Sequence, residues 1–343
     1  MFDLDNLVRP NVRRLTPYSC ARDDFHGKAE IFLDANENPF GTLNRYPDPY
    51  QRELKAEISR LKGVPVENIF LGNGSDEIID LCFRIFCNPG ADKALTLKPS
   101  YGMYEVSASV NDVQIIKIPL SETFGVNFDD IKPHFRDKNL KIILLCSPNN
   151  PTGNCIDRTV IESILNEFNG IVMLDEAYID FSDQPSMKDD IDRYPNLIVM
   201  QTFSKAFGLA SVRVGMAFTN PEIIRYLNKM KPPYNISTLN QKTVLKKLKK
   251  QGEYLTQVMK IKKERTRLSG EIAKLSCVVE VFPSDANFIL VRMKDADLIY
   301  DYLVNKGIIV RNRSNVINNC LRITVGTKIE NNRLLRALKS MEK

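Results

Sequence analysis

KIILLCSPNNPTG, residues 141–153, decides the fold. Ile142 to Cys146 is the longest unbroken aliphatic-plus-cysteine run in the chain. It is far short of the roughly 20 apolar residues a membrane span needs. It also does not alternate, and a continuous apolar run marks a strand covered on both faces. Ser147-Pro148-Asn149-Asn150-Pro151-Thr152-Gly153 then reads as a tight turn. The same pattern recurs on either side, with strands expected at Ile69–Leu71, Ala94–Leu97, Gln114–Ile118, Ile171–Leu174, Leu197–Gln201 and Val214–Thr219. Helical stripes fill the gaps around Pro49–Lys62, after GNGSDE (72–77), and at Tyr101–Val110, Arg158–Phe168 and Glu222–Met230. The fold class that follows is α/β: a large domain whose mostly parallel sheet carries helices on both faces.

Past Pro233 the texture changes. A long helical stretch precedes strands at Val278–Phe282 and Phe288–Val291, a helix near Ala296–Lys306, strands at Ile308–Arg311 and Leu321–Val325, and a terminal helix. That order describes a smaller α+β domain. The expected division is an arm and loop over 1–45, a large domain over 46–235 and a small domain over 236–343.

With 343 residues, the prior is two domains. The chain is 43% hydrophobic and 26% charged, which excludes a disordered chain and a small disulfide scaffold. A net charge of +6 is too small an excess to imply nucleic acid. Much of it lies in Lys246–Arg267, which reads as one amphipathic helix with a solvated face. The N-terminus MFDLDNLVRP has no apolar core and is no signal peptide, and no segment suggests a membrane partner. The seven cysteines form no C-x-x-C pair; Cys82, Cys87 and Cys146 read as small core residues of a reducing, cytoplasmic compartment. Two histidines, His26 and His134, leave little material for a histidine metal site or a Ser-His-Asp triad, and no metal is expected.

Four segments at expected strand ends carry chemistry, and in a doubly wound sheet the ligand crevice lies at the carboxyl ends of the strands. GNGSDE lacks the third glycine of a dinucleotide fingerprint, since Glu77 stands there. It still leads into a helix N-terminus, whose free N–H groups suit a phosphate. Ser75 serves equally well as a plain N-cap. SPNNPTG places an amide, Asn150, at a strand end, or is a turn and nothing more. In VMLDEAY, Asp175 ends an apolar strand, where a carboxylate is costly to bury without a cationic partner. A rim position would remove that cost. In TFSKAFG, Lys205 stands between Phe203 and Phe207. Desolvation there would lower its pKa and make it a nucleophile able to form imines. A snorkelling surface lysine is the plain alternative. Ser204 and Arg213 add a hydroxyl and a guanidinium suited to phosphate.

Together a phosphate cradle, a buried acid, an amide, a phenol and an imine-forming lysine describe a pyridoxal 5'-phosphate site. The chain resembles the fold-type-I aminotransferases, and within them the histidinol-phosphate group. SPNNPTG, DEAY and SKAFG carry the enzyme class; LDANENP, YGMY and LRITVGT narrow it, with NVRRLTPY, RYPDPY, PPYNIS and GIIVR along the way. One departure is ASVR at 210–213, where many members carry AGLR.

The resemblance implies roles. Lys205 is the covalent anchor and proton carrier, and Asp175 pairs with the pyridinium nitrogen. Asn150 and Tyr178 contact the ring hydroxyl, and Tyr101 stacks on the ring. Ser75, Asp76, Ser204 and Arg213 surround the cofactor phosphate, as does Tyr46 of a neighbouring subunit, which implies a homodimer. Tyr18, Arg311 and Arg322 hold the substrate's phosphate or carboxylate, with the arm packed on the small domain and the dimer partner. The implied reaction is ping-pong transamination between L-histidinol phosphate and 2-oxoglutarate, giving imidazole-acetol phosphate and glutamate. A related aminotransferase for aromatic amino acids, a threonine-phosphate decarboxylase-like lyase and a silent cofactor-binding protein are the competing readings.

Overall fold

A computed structural model describes residues 2–20 and 31–341. His26 and part of the expected arm lie outside the described residues. The larger sheet has seven strands in the order β1-β7-β6-β5-β4-β2-β3. They are β1 (Ile69–Gly72), β2 (Lys93–Lys98), β3 (Gln114–Pro119), β4 (Leu140–Cys146), β5 (Ile171–Asp175), β6 (Leu197–Thr202) and β7 (Gly215–Phe218). Strands β3, β2, β4, β5 and β6 pair in parallel, and only β7 runs against its neighbours β6 and β1. The strands expected to be apolar throughout are so for a physical reason: β1, β5, β6 and β7 are buried at every position. One face packs on the helix Ser75–Phe86, through Ile78, Ile79, Cys82 and Phe86. The other packs on Leu54, Ile58, Ile161 and Ile164 of the helices Arg52–Lys62 and Arg158–Glu167.

The smaller sheet is antiparallel, in the order β10-β11-β9-β8, with β8 at Val278–Val281, β9 at Phe288–Met293, β10 at Arg311–Asn312 and β11 at Cys320–Thr324. β10 begins later than the apolar run Ile308–Val310 suggests. Gly307 takes φ +68, Ile309 is exposed, and ladder pairing starts only at Arg311, opposite Arg322.

Three expectations change. The basic stretch is two helices, Thr238–Leu248 and Gln251–Ile272, rather than one. Lys246, Lys247, Lys249 and Lys250 crowd like charges at helical spacing around the break. The large core also runs past the expected boundary at 235–236. Val244, Leu248, Tyr254 and Val258 pack in it, while Leu268 and Ile272 of the same long helix pack in the small core. Finally, the first part of the arm packs on the large domain rather than the small one. Leu4, Val8 and Val12 join Ile85 and Leu227 in one cluster, and Arg9 N donates to Ile85 O at 2.9 Å.

Candidate active site

The carboxyl ends of β1, β4, β5 and β6 open into a cleft of about 400 Å³, roofed by β10 and β11 of the small sheet. Its floor is Asp175. This carboxylate is buried; Tyr104 Oη donates to its Oδ2 at 2.9 Å and Ala177 N to its Oδ1 at 3.0 Å. Burial pushes its pKa up to about 6, against the pull of those two hydrogen bonds. The rim alternative for Asp175 is therefore ruled out.

Lys205 follows β6. Its Nζ lies 5.5 Å from the centroid of the Tyr178 ring. The side chain keeps an exposed surface, yet the cleft walls withhold water from the ammonium and Arg322 adds a like charge. Both press its pKa below the usual lysine range. Tyr178 is buried edge-on against Phe288, at 5.1 Å between ring centroids, and burial pushes its phenol up.

Asn150 faces the cleft because Asn149 ties the turn. Asn149 Nδ2 donates to Pro99 O at 3.0 Å and Thr152 Oγ1 at 2.8 Å, and Gly153 N closes the loop on Asn149 O at 2.7 Å. The same turn meets the small domain, where Asp285 N donates to Gly153 O at 2.7 Å.

At the start of the helix Ser75–Phe86, Gly74 takes φ +77 and Arg213 crosses the helix end. Arg213 Nη2 donates to Asp76 Oδ2 at 3.3 Å and Tyr101 Oη to Asp76 Oδ1 at 3.2 Å. Ser204 lies beside them, its hydroxyl accepting from Thr202 Oγ1 at 3.0 Å. The ASVR departure leaves Arg213 in the cleft: Ala210–Val212 form a short 3₁₀ turn and Arg213 itself adopts φ +53. Gly215 pairs with Gly72, and a Cβ there would stand 2.5 Å from Gly74 C and Ser75 N. Those are backbone atoms with little room to shift. Gly215→Ala is expected to destabilise the fold by about 1–3 kcal/mol, read in urea unfolding, because overpacking a close backbone contact is that costly. An unchanged midpoint would show that the turn can move.

Arg322 does not face solvent. Its guanidinium lies over the Phe288 ring at 5.3 Å and donates to Asn150 Oδ1. Arg311, its cross-strand partner, lines the same cleft. Two expected residues stand elsewhere. Tyr18 is 75% exposed and does not line the cleft. Tyr46 stacks on Tyr234 at 4.4 Å in a separate depression of about 550 Å³. Among the lining or supporting residues not expected from sequence are Tyr104, Thr202 and Arg313. Tyr104 reads as a core residue of a helix, Thr202 as a strand end, and Arg313 falls outside any periodic pattern.

Such a cleft offers one buried acid, one amine of lowered pKa, a helix start with a guanidinium, and a roof of arginines. That arrangement suits a ligand anionic at two ends with a basic centre between them. Residues 24–338 match the family aminotransferase class I and II. A histidinol-phosphate aminotransferase of Parabacteroides distasonis is 53% identical over 345 residues, covering 100% of both chains. The solved histidinol-phosphate aminotransferase of Clostridium acetobutylicum is 29% identical with a TM-score of 0.80, covering 88% of this chain and 91% of that one. A histidinol-phosphate aminotransferase of Sinorhizobium meliloti, solved in complex with pyridoxal-5'-phosphate, shares the fold with a TM-score of 0.79 at 23% identity, over 87% of this chain and 83% of that one. With nearly its whole length matched and a full-length relative above half identity, the chain belongs to the class I and II aminotransferases.

Proposed function

We propose that this protein is a pyridoxal 5'-phosphate-dependent histidinol-phosphate aminotransferase, exchanging an amino group between L-histidinol phosphate and 2-oxoglutarate in histidine biosynthesis. The observation that carries the reading is the pairing across one cleft of a buried acid, Asp175, with an amine of lowered pKa, Lys205. The full-length relative at 53% identity supports the substrate.

The cofactor fits the residues present. Asp175 is buried with a hydroxyl and an amide as its hydrogen-bond donors, so a cationic ring nitrogen would satisfy it. Gly74 and Gly215 carry no Cβ at the start of the helix, which leaves its first N–H groups beside Ser204 and Arg213 for a phosphate. Ser75, Asp76, Ser204 and Arg213 would hold that phosphate, Tyr101 the ring face, Asn150 and Tyr178 the ring hydroxyl, and Lys205 the aldehyde end. When bound, the cofactor supplies an electron sink for charge at the substrate Cα.

The chain's own groups do the rest. Asp175 holds a proton on the ring nitrogen. Lys205 Nζ, whose pKa burial and Arg322 lower, would take the proton from the substrate Cα and deliver it to the cofactor's C4′, which moves the amino group across. Arg311 and Arg322 hold whichever anion enters, a phosphate in one half-reaction and a carboxylate in the other. Tyr18 would close over the same end from the arm. Tyr46 stands outside its own chain's cleft. Ile31, Leu33 and Phe40 beside it in sequence are exposed apolar residues, a pattern that marks interaction surfaces. Both facts support a homodimer in which Tyr46 serves the neighbour's cofactor phosphate. Among the described residues no helix is long and apolar enough to cross a membrane. A biosynthetic role with buried thiols of raised pKa at Cys82, Cys87 and Cys146 supports the cytoplasm.

A panel of amino donors with 2-oxoglutarate tests the reading. L-Histidinol phosphate is expected to have the highest kcat/KM; preference for an aromatic amino acid would overturn it. Arg322→Lys keeps the charge but loses the planar fork. It should raise KM about tenfold or more for both L-histidinol phosphate and 2-oxoglutarate, since a charge-assisted bond is worth about 1.5–3 kcal/mol. An effect on only one substrate would mean that the two anions bind in different places.

A further inference from the structure

Arg313 has no role in the reaction described so far, and its position is unusual. It lies just past β10, lines the cleft with Arg311 and Arg322, and is partly buried. Its Nε is buried and has no hydrogen-bond partner among the described residues. Among the described residues no carboxylate forms an ion pair with any of the three arginines, and all three line the roof near enough for Arg311 and Arg322 to act on Arg313. Burial and the two neighbouring arginines lower the pKa of Arg313, and only the Tyr178 phenol opposes them. Like charges held together in a partly desolvated place repel one another, a cost that an anion between them would relieve.

We propose that Arg313 is a specificity-determining residue that makes the arginine roof prefer a phosphate dianion over a carboxylate. This rests on the aminotransferase reading above and adds a discrimination to it. Two guanidinium groups suffice to match a carboxylate of single charge. A phosphate monoester carries a charge of about −1.5 to −2 at neutral pH and presents three acceptor oxygens. A third guanidinium beside the first two is therefore repaid by phosphate and not by carboxylate. Arg313 lines the cleft, so the remaining N–H groups of its guanidinium would serve the third oxygen. In a ping-pong exchange both partners occupy the cleft in turn, and a graded roof gives each its own affinity.

The test is binding of two probes to the holoenzyme, whose helix cradle is already filled by the cofactor phosphate. Inorganic phosphate and glutarate are titrated into wild type, Arg313→Gln and Arg313→Lys. Arg313→Gln is expected to weaken phosphate about tenfold, the loss of one charge-assisted contact, and to change glutarate less than about threefold. Arg313→Lys is expected to fall between, because it keeps the charge and loses the fork. Equal weakening of both probes, or of neither, overturns the proposal. The cofactor's visible absorbance, unchanged from wild type, shows that the cleft is intact in each variant. Turnover of L-histidinol phosphate by wild type is measured alongside. Its absence would overturn the functional reading, while the binding ratio still decides the role of Arg313.

Discussion

Lys205→Ala is expected to take up pyridoxal phosphate only non-covalently and to lose turnover by more than about 10⁴-fold, because one group is both covalent anchor and proton carrier. The structure makes this amine unlike the surface lysines. Its ammonium is drawn toward the Tyr178 ring, water is partly withheld from it, and Arg322 repels the charged form. Desolvation and Arg322 enlarge the neutral, nucleophilic fraction, while the Tyr178 ring face, Asp175 and Asp76 favour the charged form. Borohydride reduction followed by peptide mapping checks the assignment. Wild type should carry the cofactor on the peptide containing Lys205, and the variant should carry none. A label on a different lysine in wild type would remove Lys205 from the role.

Asp175→Asn is expected to separate stability from function. The folded state raises the pKa of this carboxyl above its unfolded value, to about 6, chiefly by burial. Its contribution to stability is therefore fully present below the unfolded value and is lost as pH rises through about 6. At pH 7 the cofactor-free protein holds an unwelcome buried charge, worth at most ~3 kcal/mol for a shift of this size. Glu176 next to it is raised in the same sense, to about 7. The cofactor-free variant should thus be as stable as wild type or more stable at pH 7, with the advantage shrinking toward pH 4. The cofactor-loaded variant should turn over on the order of 10²–10³-fold more slowly, the usual loss when a preorganised electrostatic partner is removed. Urea unfolding without cofactor and single-turnover kinetics with it measure the two halves. A cofactor-free variant clearly less stable at pH 7, or near-wild-type turnover, would contradict the account.

The fold was legible where side-chain pattern and burial coincide. β4, β5 and β6 are buried at almost every position and read as continuous apolar runs. Their last residues, Asp175 and the turn after Cys146, mark the cleft because the polar chemistry begins where the core stops. Partnerships between distant segments were not legible. Tyr104 supports Asp175 from 71 residues away, and nothing in the spacing of MYEVSASV distinguishes it from a core aromatic. Asn149 and Asn150 are adjacent and identical in type, yet one holds the turn and the other faces the cleft. The alternating pattern of LRITV alone leaves Arg322 on the solvent face of a half-buried strand, and only the resemblance puts it at the substrate anion. It is turned inward because the solvent side of the small sheet is the roof of the large domain's cleft. Tyr46 and Tyr18 lie outside the cleft of their own chain, and a dimer is what would bring Tyr46 to work.

Amino transfer between L-histidinol phosphate and 2-oxoglutarate moves one nitrogen from donor to acceptor, and that nitrogen can be followed. L-Histidinol phosphate labelled at its amino nitrogen is incubated with the holoenzyme and 2-oxoglutarate, and the products are weighed by mass spectrometry. Labelled glutamate should form in equal amount with imidazole-acetol phosphate. Label released as ammonium, no glutamate, or carbon dioxide formed from L-threonine phosphate in place of that exchange would contradict it.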